Sequence, residues 1–103
     1  MLNNRKRRPT HPGEILREDV LPETGLTQGE FAERLGVTRK TVNEILCGRS
    51  PVTVDMAHRL ARALNTSPDL WLRLQQDVDI WDALEAKKTE YARIKPLATG
   101  AAG

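Results

Sequence analysis

Residues 27–48, TQGEFAERLGVTRKTVNEILCG, hold two runs of helical spacing separated by a single Leu-Gly-Val turn. Thr27 followed by Glu30 has the spacing of a capping box, in which the hydroxyl and the carboxylate each take a backbone N–H at the helix start. Phe31, Ala32 and Leu35 then recur on one helix face, and Gly36 ends the run where a left-handed residue is wanted. Val37 is placed to pack just ahead of Thr38, the cap of the second helix. Val42, Ile45 and Leu46 form that helix's inner face, and Gly48 stops it. Each helix has about two and a half turns, too few to be stable alone in water. The pair needs a scaffold, and the chain on either side must supply it.

It does so with helices. HPGEILREDVL places Pro12 in a first turn, where its missing N–H costs nothing, and sets Ile15, Leu16 and Val20 at helical spacing. PETG, residues 22–25, is expected to break this run. After the turn RSPVT, Thr53 caps a fourth helix with Met56, Ala57, Leu60, Ala61 and Leu64 on a wide apolar face. Ser67 and Pro68 open a fifth, the longest, expected from Asp69 to about Lys88. There is no strand pattern and no internal repeat. The expected fold is all-α with five helices. Residues 1–10 read as a flexible basic arm, 11–95 as the folded domain and 96–103 as a disordered tail.

The two short helices have the ingredients of a helix-turn-helix. Ala32 is small where the helices cross, Gly36 lies in the turn, and Val42 and Ile45 pin the second helix from beneath. The residues left pointing outward are Arg39, Lys40, Asn43 and Glu44. Arginine can bond bidentately to guanine, asparagine to adenine, and glutamate can accept from cytosine. Gln28 and Thr38 stand at helix N-termini, where backbone N–H groups suit a phosphate. Thr41 and Arg49 are expected on the DNA backbone beside them, together with Arg5, Arg7 and Arg8 of the arm. A charged outer face is also what any solvated surface helix shows. Two bases in a first helical turn are locally unfavourable, however, unless an anion is bound there.

Charge distribution favours the same end of the chain. The formal charge is +2, yet residues 1–66 carry eleven Lys and Arg against eight Asp and Glu, and residues 67–103 carry five against six. Other classes find little support. A single cysteine, Cys47, allows no internal disulfide and no cysteine cluster for zinc, and it reads as a partly buried helix-end residue. His11, Cys47 and His58 lie on separate segments, so no metal or cofactor is expected, nor an enzyme. The basic opening is followed by no apolar run, and no stretch is long enough for a membrane span. A cytoplasmic protein with no membrane partner is the expectation.

The fifth helix carries both tryptophans. Trp71, Leu74, Val78, Trp81 and Leu84 form one stripe, and Leu70, Leu72 and Ile80 widen it beyond what one face of a small scaffold can bury. Trp71, Leu74, Val78 and Trp81 are therefore expected to serve a homodimer, the arrangement a helix-turn-helix uses on paired half-sites. The competing reading makes the whole stripe intramolecular core.

From LTQGEF to LARALNTS the chain resembles the helix-turn-helix domain of the lambda-repressor/Cro-like (XRE) superfamily. With HPGEILREDVLPETGLT before it and SPDLWLRLQQDVDIWDA after it, it is similar to HigA-type antitoxins, also described as VapI-like or plasmid-maintenance antidote proteins. The resemblance implies a five-helix lambda-repressor-like domain in which Gln28 touches the DNA backbone and Thr38 to Glu44 read the major groove. It also implies an antitoxin that represses its own operon and neutralises a HigB-type, mRNA-cleaving toxin. The alternatives are a stand-alone regulator without a toxin, or a protein-interaction module without DNA binding. Gly29 departs from the family pattern, where a longer polar residue is more usual.

Overall fold

The computed structural model describes residues 7–98. Arg5 and residues 99–103 of the expected tail lie outside the described residues. Among the described residues five helices follow one another. Helix α1 covers residues 12–24 as three consecutive spans, Pro12–Ile15, Leu16–Val20 and Leu21–Thr24. Then come α2 (Gln28–Leu35), α3 (Arg39–Leu46), α4 (Val54–Leu64) and α5 (Pro68–Ala92).

The threonine caps explain the short elements. The Thr27 hydroxyl accepts from Glu30 N–H at 3.1 Å, and the Glu30 carboxylate accepts from Thr27 N–H at 2.9 Å. That reciprocal bonding holds the Glu30 carboxyl below the usual carboxylate range, chiefly through the Thr27 backbone bond. Thr38, Thr53 and Ser67 cap α3, α4 and α5 through their hydroxyl oxygens alone, accepting from the N–H groups of Thr41, Met56 and Leu70. Gly36 and Gly48 take φ of 73° and 75°, left-handed values that let the chain leave α2 and α3 within one residue.

One core joins all five helices: Leu16 from α1, Phe31, Ala32 and Leu35 from α2, Val42, Ile45 and Leu46 from α3, Met56, Ala57 and Leu60 from α4, and Trp71 from α5. Each fully buried Leu, Ile or Phe contributes roughly 1.5–3 kcal/mol, enough to hold two helices that could not stand alone.

Four expectations change. The first helix does not break at PETG but runs through Pro22 to Thr24. A π-turn at Leu16–Val20, closed by Leu21 N–H donating to the Leu16 carbonyl, widens the helix just before the proline. That widening relieves the clash a proline ring makes with the preceding turn. The fifth helix extends to Ala92, with a break at Lys87 (φ −127°, ψ 26°) close to its expected end. The dimerisation stripe divides. Trp71 and Val78 are 3 % and 1 % exposed inside the chain's own core, so neither is available to a second subunit. Leu74 and Trp81 are half-buried, while Ile80 and Leu84 are exposed. Cys47 is exposed at the end of α3 rather than partly buried.

Candidate nucleic-acid interface

Helix α3 is held from three sides, and its free side is the candidate interface. Beneath it, Val42, Ile45 and Leu46 are buried. At its C-terminal end, Arg17 of α1 donates to the Leu46 carbonyl at 2.9 Å. Arg59 of α4 does the same for α2, with Nη1 donating to the carbonyls of Leu35 at 2.9 Å and Gly36 at 3.3 Å while Nε holds Asp55. A cation over the last carbonyls of a helix also opposes its dipole. Each flanking helix thus contributes one arginine to the motif it supports.

The start of α1 presses on the other end of the same contact. A Cβ at Gly13 would overlap the Ile45 carbonyl oxygen, with the carbonyl carbon only 2.8 Å away. Only a glycine allows the backbones of α1 and α3 to approach this closely. His11 caps α1, its Nδ1 accepting from Gly13 N–H at 2.8 Å, and is 7 % exposed. Burial, followed by the nearby charge of Arg8, lowers the His11 pKa below 6.5. The loop leaving α3 is fixed by Gln75 of α5, which accepts from Val52 N–H at 2.8 Å and donates to Asp79 at 2.9 Å.

On the open side, Thr38, Arg39 and Lys40 are exposed in the first turn of α3. Gln28 begins α2 beside them, its Oε1 accepting from Asn43 Nδ2 at 3.2 Å. The Thr38 and Thr41 hydroxyls lie 2.9 Å apart, and the Thr38 oxygen also accepts from Thr41 N–H. Gly29 leaves room for Arg39, whose Cδ would lie 3.9 Å from an added Cβ. The departure from the family pattern therefore sits beside the Arg39 side chain. Glu44 pairs with Arg49, Oε2 to Nε at 3.1 Å, so the carboxylate is partly neutralised before any DNA arrives. Gln28, Thr38, Arg39, Lys40, Thr41, Asn43, Glu44 and Arg49 are thereby brought to α3 and its immediate borders.

The arm behaves differently. Arg7 is exposed, whereas Arg8 forms a two-point pair with Asp82 of α5 at 2.8 and 2.9 Å. The bond raises the Arg8 pKa and lowers that of Asp82. Sequence reasoning did not find Arg17, Arg59, Gln75 or the capping role of His11. The partners of Arg17, Arg59 and Gln75 are backbone groups more than twenty residues away, which no local spacing announces, whereas His11 caps through the nearby Gly13 N–H.

Among the described residues no group of His, Cys, Asp or Glu is placed to hold a metal ion, and no helix is long and apolar enough to cross a membrane. A family model described as helix-turn-helix matches residues 16–71. The antitoxin HigA-1 of Vibrio cholerae is 39% identical over 92 residues, covering 89% of this chain and 87% of its own. The solved structure of antitoxin GraA in complex with its operator has a TM-score of 0.84 at 41% identity, covering 96% of this chain and 100% of that one. The structure of Pseudomonas aeruginosa antitoxin HigA with the higBA promoter has a TM-score of 0.83 at 37% identity, covering 87% and 99%. With the capped helix pair, its arginine supports and these likenesses together, the chain belongs to the HigA-like antitoxins of the XRE helix-turn-helix superfamily, a group of DNA-binding regulators rather than enzymes.

Proposed function

We propose that the protein is the antitoxin of a type II toxin–antitoxin pair, a cytoplasmic homodimer that binds operator DNA, represses its own operon and neutralises a HigB-type, mRNA-cleaving toxin. One observation carries the DNA half of this reading. The first turn of α3 presents Thr38, Arg39 and Lys40 to solvent, with Gln28 bonded to Asn43 beside it, while Val42, Ile45 and Leu46 bury the opposite face in the core. Arg39 and Lys40 meet base edges in the major groove, with Asn43 and Glu44 deeper along the helix. Gln28, Thr38, Thr41 and Arg49 meet phosphates, and Arg5 and Arg7 extend the backbone contact. Arg8 acts at one remove, tethering the arm to α5. Two relatives of the same fold are described with an operator and a promoter, which supports a DNA partner here. The toxin partner is supported by the naming of those relatives as antitoxins. The homodimer rests on the apolar face of α5, with Leu74 and Trp81 as its half-buried base and Ile80 and Leu84 as its exposed part.

The experiment is co-expression of the chain with the protein encoded by the neighbouring reading frame. Recovery of a stable complex, with growth arrest by the neighbour alone and rescue by the pair, is the expected result. A neighbour that neither binds the chain nor arrests growth would leave a stand-alone regulator.

A further inference from the structure

Gln28, Asn43, Arg49 and Glu44 form one continuous chain of hydrogen bonds from the start of α2 to the end of α3. Gly48, at φ 75°, turns the backbone out of α3 and brings Arg49 back along it. The N–H groups of Arg49 and Ser50 both donate to the Glu44 carbonyl, at 2.9 and 3.1 Å. That turn sets the Arg49 guanidinium beside two α3 side chains. Its Nε donates to Glu44 Oε2 at 3.1 Å and its Nη2 to Asn43 Oδ1 at 3.5 Å. The Cys47 thiol is a second donor to Asn43 Oδ1, at 3.9 Å. From its other end the Asn43 amide reaches α2, with Nδ2 donating to Gln28 Oε1 at 3.2 Å. Gln28, Asn43 and Glu44 are half-buried, whereas Thr38, Arg39 and Lys40 are exposed.

This chain has only one possible direction. A guanidinium carries N–H donors and no acceptor, so the group facing Arg49 must be an oxygen. At 3.5 Å the Nη2–Oδ1 bond is long, but the charge still orients the amide dipole, with Oδ1 toward the cation. Nδ2 is then the end left for α2. Facing a donor, Gln28 must offer its oxygen inward, and its NH2 group becomes the outward end of the amide. Glu44, which only accepts, holds the guanidinium from the other side.

We infer that Asn43 and Arg49 are positioning residues for Gln28. Through Asn43, the Arg49 charge fixes the Gln28 amide with its NH2 group outward, as a donor to a phosphate oxygen. This deepens the DNA-binding function proposed above and rests on it. A glutamine free on a surface turns either end of its amide outward, and a phosphate accepts a bond from only one of them. Holding the NH2 end outward removes the wrong half of those states before DNA arrives and lowers the ordering cost of binding. The same bonds change what Asn43 does. An asparagine reads adenine with both ends of its amide at once. Here both ends are engaged within the chain, so base reading falls to Arg39 and Lys40 while Asn43 acts through Gln28.

The test is a double-mutant cycle in fluorescence anisotropy on three kinds of duplex: the DNA upstream of the chain's own gene, the same DNA with single base pairs exchanged, and an unrelated sequence. Gln28→Ala is expected to weaken binding about fivefold or more on every duplex alike, the mark of a phosphate contact. Asn43→Ala should weaken it about threefold or more, again on every duplex alike, and less than about twofold where Gln28 is already alanine. Asn43→Asp keeps the shape but has no hydrogen to donate, so Gln28 must turn its oxygen toward the phosphate. It should cost more than Asn43→Ala, and more in the natural background than beside Gln28→Ala, a comparison that removes the effect of the added charge. NMR of the free chain gives a readout that needs no DNA. The Gln28 side-chain NH2 group should be ordered in the natural chain, and in Asn43→Ala as mobile as that of the exposed Gln76. Arg49→Ala should lower its order too, which a direct phosphate contact by Arg49 does not explain. An Asn43→Ala loss confined to one base pair means that Asn43 reads that base, and it overturns the inference. Losses that simply add to those of Gln28→Ala, or a Gln28 NH2 group indifferent to both Asn43→Ala and Arg49→Ala, overturn it as well. A natural chain that binds none of the duplexes overturns the DNA-binding function itself.

Discussion

Replacing Gly13 by alanine tests how α1 seats α3. Gly13 lies in the first turn of α1, where alanine ordinarily stabilises a helix by up to about 1 kcal/mol. Here the added Cβ would overlap the Ile45 carbonyl, with the carbonyl carbon at 2.8 Å against an ordinary contact of 3.4 Å or more. The neighbour is backbone and cannot rotate away, so α1 and α3 must separate by more than half an ångström. Overpacking of this kind costs about 1–3 kcal/mol, and rigid neighbours put it at the upper end. After the propensity gain the net loss is about 2 kcal/mol, a fall of roughly 8–16 °C in Tm for a domain this size. Urea and thermal unfolding followed by circular dichroism measure it. Gly29→Ala is the matched control, because its Cβ meets only ordinary contacts at 3.9 Å. It should change stability by zero to about 1 kcal/mol in the favourable direction. Ile45 sits on the far side of α3 from Arg39, so Gly13→Ala should also weaken DNA binding at temperatures where it remains folded. A Gly13→Ala protein as stable as the natural chain would refute the close seating of α1 on α3.

Two further outcomes follow from the supports of the motif. His11 caps α1 as a neutral imidazole and its pKa is lowered in the fold, so the unfolded chain takes up a proton first as pH falls. Stability is then full above about pH 6.5, declines as pH drops through that value and levels off below the native pKa; His11→Asn, which keeps a cap, should flatten the Tm profile between pH 5 and 8. Arg59→Ala removes the bonds to Leu35 and Gly36 and should cost about 1–2 kcal/mol in urea titration. Arg59→Lys should recover less than half of that, because an ammonium cannot reach the carbonyls and Asp55 together.

The helices were legible because their ends are chemically marked. Thr27, Thr38, Thr53 and Ser67 cap four of them, and Gly36 and Gly48 close two. These are local signals, carried by residues within a turn of one another. Pro22 was misleading for the same reason: a proline announces a break locally, and the π-turn that accommodates it depends on the helix before it. The direction in which α3 faces was also legible, since Val42 and Ile45 leave Arg39 and Lys40 outside. The supports of the site were hidden. Arg17 and Arg59 look like ordinary surface bases, and Gln75 like a polar interruption of an apolar helix, until the fold brings carbonyls and an N–H to them. The stripe on α5 misled in a different way. Spacing alone cannot say which side of a long helix meets its own domain, and that domain took Trp71 and Val78.

The central claim is that the first turn of α3 reads DNA. Fluorescence anisotropy on the DNA upstream of the chain's own gene tests it directly, titrated at several salt concentrations beside an unrelated duplex. The natural chain should prefer its own upstream sequence, with a salt dependence equivalent to several phosphates per dimer. Arg39→Ala and Lys40→Ala should each weaken that specific binding about tenfold or more, as loss of a base contact worth about 1–3 kcal/mol requires, and should affect the unrelated duplex much less. Equal affinity of the natural chain and both variants for the upstream sequence would contradict the account.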